Sequence, residues 1–207
     1  VNMREHIIES LFPTPIYITN IDRDFTNDEL QFVNTQKDFT ENQGGNFYTK
    51  DSYILNNLEF KNIKTIIEKC CDDYLKKIIC PNDDLKLYIT QSWLNYTQED
   101  KFHHSHNHPN SIVSGVLYID CDKENDKIQF VHSKGYQQLR PDVTNWNKWN
   151  SETWWFPVEA GKLIMFPSST THEVEIKKGS NTRVSLAFNT FYKGKIGTNK
   201  DLTELIL

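Results

Sequence analysis

Between residues 61 and 80 apolar side chains recur at helical spacing. Ile63, Ile66, Ile67, Cys70, Cys71, Tyr74, Leu75 and Ile78 form one stripe, and Lys64, Glu68, Lys69, Asp72, Asp73 and Lys76 fill the other face. This pattern predicts an amphipathic helix. Pro81 should stop it, because the ring of a proline steers the residue before it out of the helical region. A shorter helix is expected after Thr26, whose spacing to Glu29 is that of a capping box, with Leu30 and Val33 following. Upstream, Phe12-Pro13-Thr14-Pro15 stiffens the entry to a short strand at Ile16-Tyr17-Ile18. Gly44-Gly45 marks a loop.

From Leu85 the period changes to two. The run from Leu85 to Tyr96 alternates and is rich in β-formers. Further strand-like runs are Ile112 to Asp120, Lys127 to His132, Thr153 to Val158, Lys162 to Phe166, Glu173 to Ile176 and Arg183 to Tyr192. Many short strands separated by turns predict a sandwich or barrel. The expectation is one domain over 1–207, with 1–84 mainly helical support and 85–207 a β-core. One connection, Ser133 to Glu152, has no clear period and contains Tyr136, Trp146 and Trp149. A loop of that length is either a lid or binding loop, or a plain surface insertion.

Composition narrows the classes. The chain has 207 residues, 37% of them hydrophobic and 25% charged, which is ordinary for a water-soluble globule. The aromatic share of 13% suits an all-β core or a ring-lined pocket. With a net charge of -5 and no basic run, nucleic acid is a disfavoured partner. No apolar stretch is long enough to span a membrane, and the first residues lack a secretory pattern. The four cysteines, Cys70, Cys71, Cys80 and Cys121, include no C-x-x-C pair. They are expected to be free thiols in a reducing cytoplasm.

Candidate chemistry lies in the histidines. Four of the seven stand in His103-His104-Ser105-His106-Asn107-His108, between two predicted strands and just before a turn at Pro109-Asn110. On an extended chain the two imidazoles of an H-x-H project from one face and can grip one ion. Two registers are open, His104 with His106 and His106 with His108. A further ligand can come from His172, and Arg183 follows eleven residues later. Three ligands on one side of an octahedral ion leave three positions for a bidentate cosubstrate and O2. A buried arginine nearby could hold a carboxylate as a forked pair.

The ordered set His106-Asn-His108-Pro-Asn-Ser-Ile-Val-Ser-Gly-Val-Leu-Tyr118, Gly161-Lys-Leu-Ile-Met-Phe-Pro167, His172-Glu-Val and Arg183-Val-Ser-Leu-Ala-Phe-Asn189 resembles the 2-oxoglutarate and Fe(II)-dependent oxygenases. It is most similar to a prolyl-hydroxylase-like branch found in bacteria and tailed phages. Leu11-Phe12-Pro13-Thr14-Pro15-Ile16-Tyr17 also fits that branch. The resemblance implies a double-stranded β-helix of jelly-roll or cupin-like form. It implies a dioxygenase, an oxidoreductase that hydroxylates an unnamed substrate and releases succinate and CO2. Its cofactors would be Fe(II) and 2-oxoglutarate, with O2 as the other cosubstrate, in the cytoplasm (of a bacterial host if phage-encoded). It favours His106, His108 and His172 as ligands, with His103 outside the set. It gives Arg183 and Tyr118 to the C5 carboxylate of 2-oxoglutarate. The chain departs from the family pattern at the second ligand, where a histidine replaces the usual acid.

A cupin-type metalloprotein that does not use 2-oxoglutarate is the first rival. It would require a glutamate near Ser111-Ile112 and a P-x-G-x-x-H motif, and both are lacking. A non-catalytic binding module on the same scaffold is the second. A zinc hydrolase is the weakest, because no H-E-x-x-H is present.

Overall fold

The computed structural model describes residues 6–81, 85–132 and 142–207, so Tyr136 of the long connection lies outside the described residues. Strands β1 (Tyr17–Asn20), β2 (Phe39–Glu41), β3 (Phe47–Thr49), β4 (Lys86–Thr97), β6 (Val113–Asp120), β9 (Lys162–Pro167) and β11 (Arg183–Lys193) form a seven-stranded sheet in the order β1-β9-β6-β11-β4-β3-β2. Strands β5 (His103–His106), β7 (Lys127–Val131), β8 (Thr153–Pro157) and β10 (His172–Val174) form a four-stranded sheet in the order β5-β10-β7-β8. A small hairpin, β12 (Lys195–Ile196) with β13 (Leu205–Ile206), follows. All the pairings between named strands are antiparallel, and the non-sequential order of neighbours is that of a double-stranded β-helix.

Alternation along the central strands sorts side chains between two cores. Leu94, Leu117, Leu163, Met165, Leu186 and Phe188 pack in one cluster with Ile63, Ile67, Cys71 and Tyr74 of helix α2 (Lys61–Tyr74). On the other face Tyr118, Ile164 and Phe166 meet Ile128 and Phe130 of β7 and Phe156 of β8. The molecule is thus layered as helix, large sheet, small sheet, and the space between the sheets holds the candidate site.

Helix α1 (Asn27–Asn34) starts at Thr26 with the expected capping box, and Val33 is buried while Leu30 remains on the surface. Helix α2 continues into a wider π-turn, Leu75–Ile79, and ends at Cys80 in the left-handed conformation (φ 51°), the residue before Pro81. The N-terminal third carries both α-helices and also β1–β3, which extend both edges of the large sheet. It is therefore less purely helical than its sequence pattern suggests. All four cysteines are free thiols. No described helix is long and apolar enough to cross a membrane.

Candidate active site

Strand β5 is mostly polar, yet it pairs with β10 and sets His106 directly opposite His172. The next pair is Val174 with His103, so three residues of β5 are spanned where β10 advances by two. That extra residue is a β-bulge. In a regular strand, residues three apart face opposite sides. The bulge restores His103 to the side of His106, and their rings stack at 4.4 Å with planes 18° apart. His103 was expected to be no ligand, and it is not in the converging group. It packs against His106, with Asn42 Nδ2 3.1 Å from its Nε2.

The H-x-H pair converges by a route other than a shared strand. β5 ends at His106, and His108 lies in the connection beyond it. Its backbone N–H donates to the carbonyl of Ser168 (2.9 Å), at the end of β9. Its ring sits 5.9 Å from that of Trp93. Ring centroids are 4.3 Å apart for His106 and His172, 5.0 Å for His106 and His108, and 5.1 Å for His108 and His172. One nitrogen from each of these three rings lies within 4.8 Å of the others, a spacing suited to a single metal ion. His104 is not in this group.

Local hydrogen bonds orient two of the rings. His106 Nδ1–H donates to the carbonyl of His104 (2.8 Å), and His172 Nδ1–H donates to that of Thr170 (3.1 Å). Each leaves Nε2 with its lone pair, the arrangement a metal requires. Burial is the chief cause that pushes His172 down to about 3 and His108 to about 4, and it also lowers His106. All three are then neutral near pH 7 and able to act as ligands. Phe166 and Phe130 pack against His172 at 4.6 and 6.3 Å, forming an apolar wall.

Arg183 opens β11 opposite Thr97 and is 3% exposed. One terminal nitrogen donates to Thr97 Oγ1 (3.2 Å), while Nε and the other terminal nitrogen have no partner. A buried guanidinium without an anion is costly. Tyr118 is 1% exposed and lies across from Ser185, the next inward-facing position on β11 after Arg183. Burial raises the Tyr118 hydroxyl well above its usual value, and the nearby positive charge of Arg183 only partly opposes this, so the group stays a donor. Burial is the chief cause that lowers the His103 ring, with the neighbouring His106, His104 and His172 next and Arg183 contributing least. A cavity of about 260 Å³ reaches Arg183 from the far end of the sheets, past Asp126, Lys127, Trp155 and Val174.

Residues 91–189 match the family described as "Putative 2OG-Fe(II) oxygenase". That segment contains all three converging histidines, Tyr118 and Arg183. Among solved structures, the oxygenase fold is shared with a 2OG-Fe(II) oxygenase-family oxidoreductase from Burkholderia pseudomallei (13% identity, TM-score 0.53, covering 84% of each chain). It is shared with HygX from Streptomyces hygroscopicus, crystallised with nickel, 2-oxoglutarate and hygromycin B (11% identity, TM-score 0.57, 86% of this chain and 82% of that one). A prolyl-4-hydroxylase from Pseudomonas putida is similar in fold too (12% identity, TM-score 0.51, 85% of this chain and 92% of that one). No curated protein matches the chain.

Sequence reasoning missed three features of this interior: the stacked His103, the Thr97 support of Arg183, and the buried Asn46 and Asn95. The histidine tract signalled the first. The others depend on strand register, which no local pattern reveals.

Proposed function

We propose that the chain is an Fe(II)- and 2-oxoglutarate-dependent dioxygenase that hydroxylates a substrate C–H bond. In this reading His106, His108 and His172 hold the metal, and Arg183 with Tyr118 holds the distal carboxylate of 2-oxoglutarate. The reading is carried by one observation: three neutral imidazoles converge between the sheets, where a buried arginine has two nitrogens without a hydrogen-bond partner among the described residues. The donor set fits iron, since imidazole suits it, and three ligands leave room for a bidentate acid. When bound, the iron couples oxidative decarboxylation of the 2-oxo acid to activation of O2, giving succinate and CO2.

The chain's own groups do the rest. The carbonyls of His104 and Thr170 fix the ring tautomers. Arg183 offers a forked pair to a carboxylate, and the Tyr118 hydroxyl adds a donor. Phe130 and Phe166 cover one side of His172. With an all-imidazole set the metal keeps its full positive charge, which favours a dianionic cosubstrate. The cupin-type alternative accounts for three histidines but leaves the Arg183 guanidinium unexplained.

Equilibrium Fe(II) binding under anaerobic conditions tests the ligand set. His106→Ala, His108→Ala and His172→Ala should each weaken affinity by on the order of 100-fold. His104→Ala should change it little, because His106 uses the His104 backbone carbonyl and not its ring. If His104→Ala abolished binding and His108→Ala did not, the ligand pair would be His104 and His106.

A further inference from the structure

Among the described residues, six buried side-chain polar atoms have no hydrogen-bond partner: both amide atoms of Asn46, Asn95 Oδ1, His104 Nδ1, and Arg183 Nε and one terminal nitrogen. Five of the six belong to Asn46, Asn95 and Arg183, and strand register brings these three residues together. Phe47 pairs with Tyr96, so Asn46, the residue before it, is in line with Thr97, which itself faces Arg183. Asn95 is in line with Ser185, and Ser185 with Tyr118. Phe47 and Tyr96 point to the other face, where Tyr96 packs on Phe39 at 5.0 Å and its hydroxyl donates to the Val33 carbonyl (2.7 Å). Alternation therefore turns Asn46, Asn95, Thr97 and Arg183 toward the space between the sheets.

The order along β4 matters. Trp93 stands beside His108. Asn95 follows, roughly 7 Å further along the strand, and Thr97 with Arg183 a similar step beyond. Asn95 thus lies between the histidines and the arginine, along the line a bound dicarboxylate would follow. Asn46 is 0% exposed and Asn95 6%, so only a small ligand within the barrel can meet them. Unpartnered buried amides destabilise a protein, and few are tolerated without cause. One carboxylate on Arg183 would satisfy the guanidinium but not the two amides.

We propose that Asn46 and Asn95 are cosubstrate-specificity residues that hydrogen-bond the half of 2-oxoglutarate gripped by Arg183. Their amide N–H groups donate to the ligand, Asn95 after a half-turn of its amide. This inference rests on the functional reading above. It extends that reading to a residue on β4 and one just before β3.

The test uses metal-loaded protein under anaerobic conditions, with Asn46→Leu, Asn95→Leu and the isosteric Asn95→Asp. Thermal midpoint and affinity are measured with 2-oxoglutarate and with 2-oxobutanoate, which has the same 2-oxo acid end and no distal carboxylate. Leucine at either position should leave the unliganded midpoint unchanged or raised, because a polar group without a partner is removed. Affinity for 2-oxoglutarate should fall by about 10-fold or more, while affinity for 2-oxobutanoate should move little. Asn95→Asp should show the same selective loss through repulsion between carboxylates. A lowered unliganded midpoint with full 2-oxoglutarate affinity would make both amides structural and overturn the inference. Equal losses for the two acids would also overturn it, since the amides would then act at the metal end. Binding by wild type with unaltered variants rejects this inference alone, whereas no binding by wild type rejects the functional reading with it.

Discussion

His108 and His172 bind protons far less readily in the folded chain than free histidine does. Their usual value is 6.5, and burial lowers them to about 4 and about 3. Above pH 6.5 neither state takes the proton, so the rings contribute no pH dependence. Below it the unfolded chain binds protons that the folded chain refuses, and stability falls as pH drops toward the folded values. Between pH 7.5 and 5 the two rings should cost the metal-free protein roughly 2–4 kcal/mol, read as a drop in the urea midpoint. His172→Phe should flatten that dependence. A midpoint equally high at both pH values would show that the rings are not held neutral by burial. The same burial shifts metal binding. Free imidazoles would lose a metal below about pH 6, but these ligands should hold it to about pH 5, because the competing proton binds more weakly.

Elements with a sustained period were legible in the sequence. β4, β6, β7, β8, β9 and β11 lie within a residue or two of the runs that alternate, and the Thr26–Glu29 box starts α1. What escaped was short or irregular. β2 and β3 have three residues each, too few to show alternation. β5 is His-His-Ser-His with a bulge, so its apparent period misleads and its ligand face follows from pairing with β10. The Ser-Gly-Val run in β6 has a packing reason that emerges only across strands. Gly115 faces Phe188, and a Cβ there would lie 2.2 Å from the end of that ring, which is 0% exposed. Gly115→Ala should therefore destabilise by about 1–3 kcal/mol through overpacking. Phe188→Leu in the same chain should recover part of that loss, a coupling measurable by urea unfolding of the four-member mutant cycle. Gly115→Ala as stable as wild type would mean the two strands can part without cost.

At the scale of the molecule, the chain uses one face of its large sheet for stability and the other for chemistry. Leu94, Leu186 and Phe188 anchor α2, while their neighbours Asn95, Ser185 and Arg183 turn inward. The histidine group could be picked out from its spacing, while Tyr118 and Arg183 became candidates through the order of motifs along the chain. Asn46, Asn95 and Thr97 could not, because strand register alone aligns them with β11, and Thr97 meets Arg183 across 86 residues of sequence. The central claim is that the interior binds an iron ion and a dicarboxylate side by side. The visible charge-transfer band of an Fe(II)–2-oxoglutarate complex, titrated anaerobically, reads that directly. Wild type should develop the band on addition of 2-oxoglutarate to iron-loaded protein. Arg183→Met should need ~30-fold or more 2-oxoglutarate to reach half of it, with iron affinity unchanged. Arg183→Lys should recover only part, since a point charge cannot replace the fork. Iron-loaded wild type that gives no band at saturating 2-oxoglutarate would contradict the account.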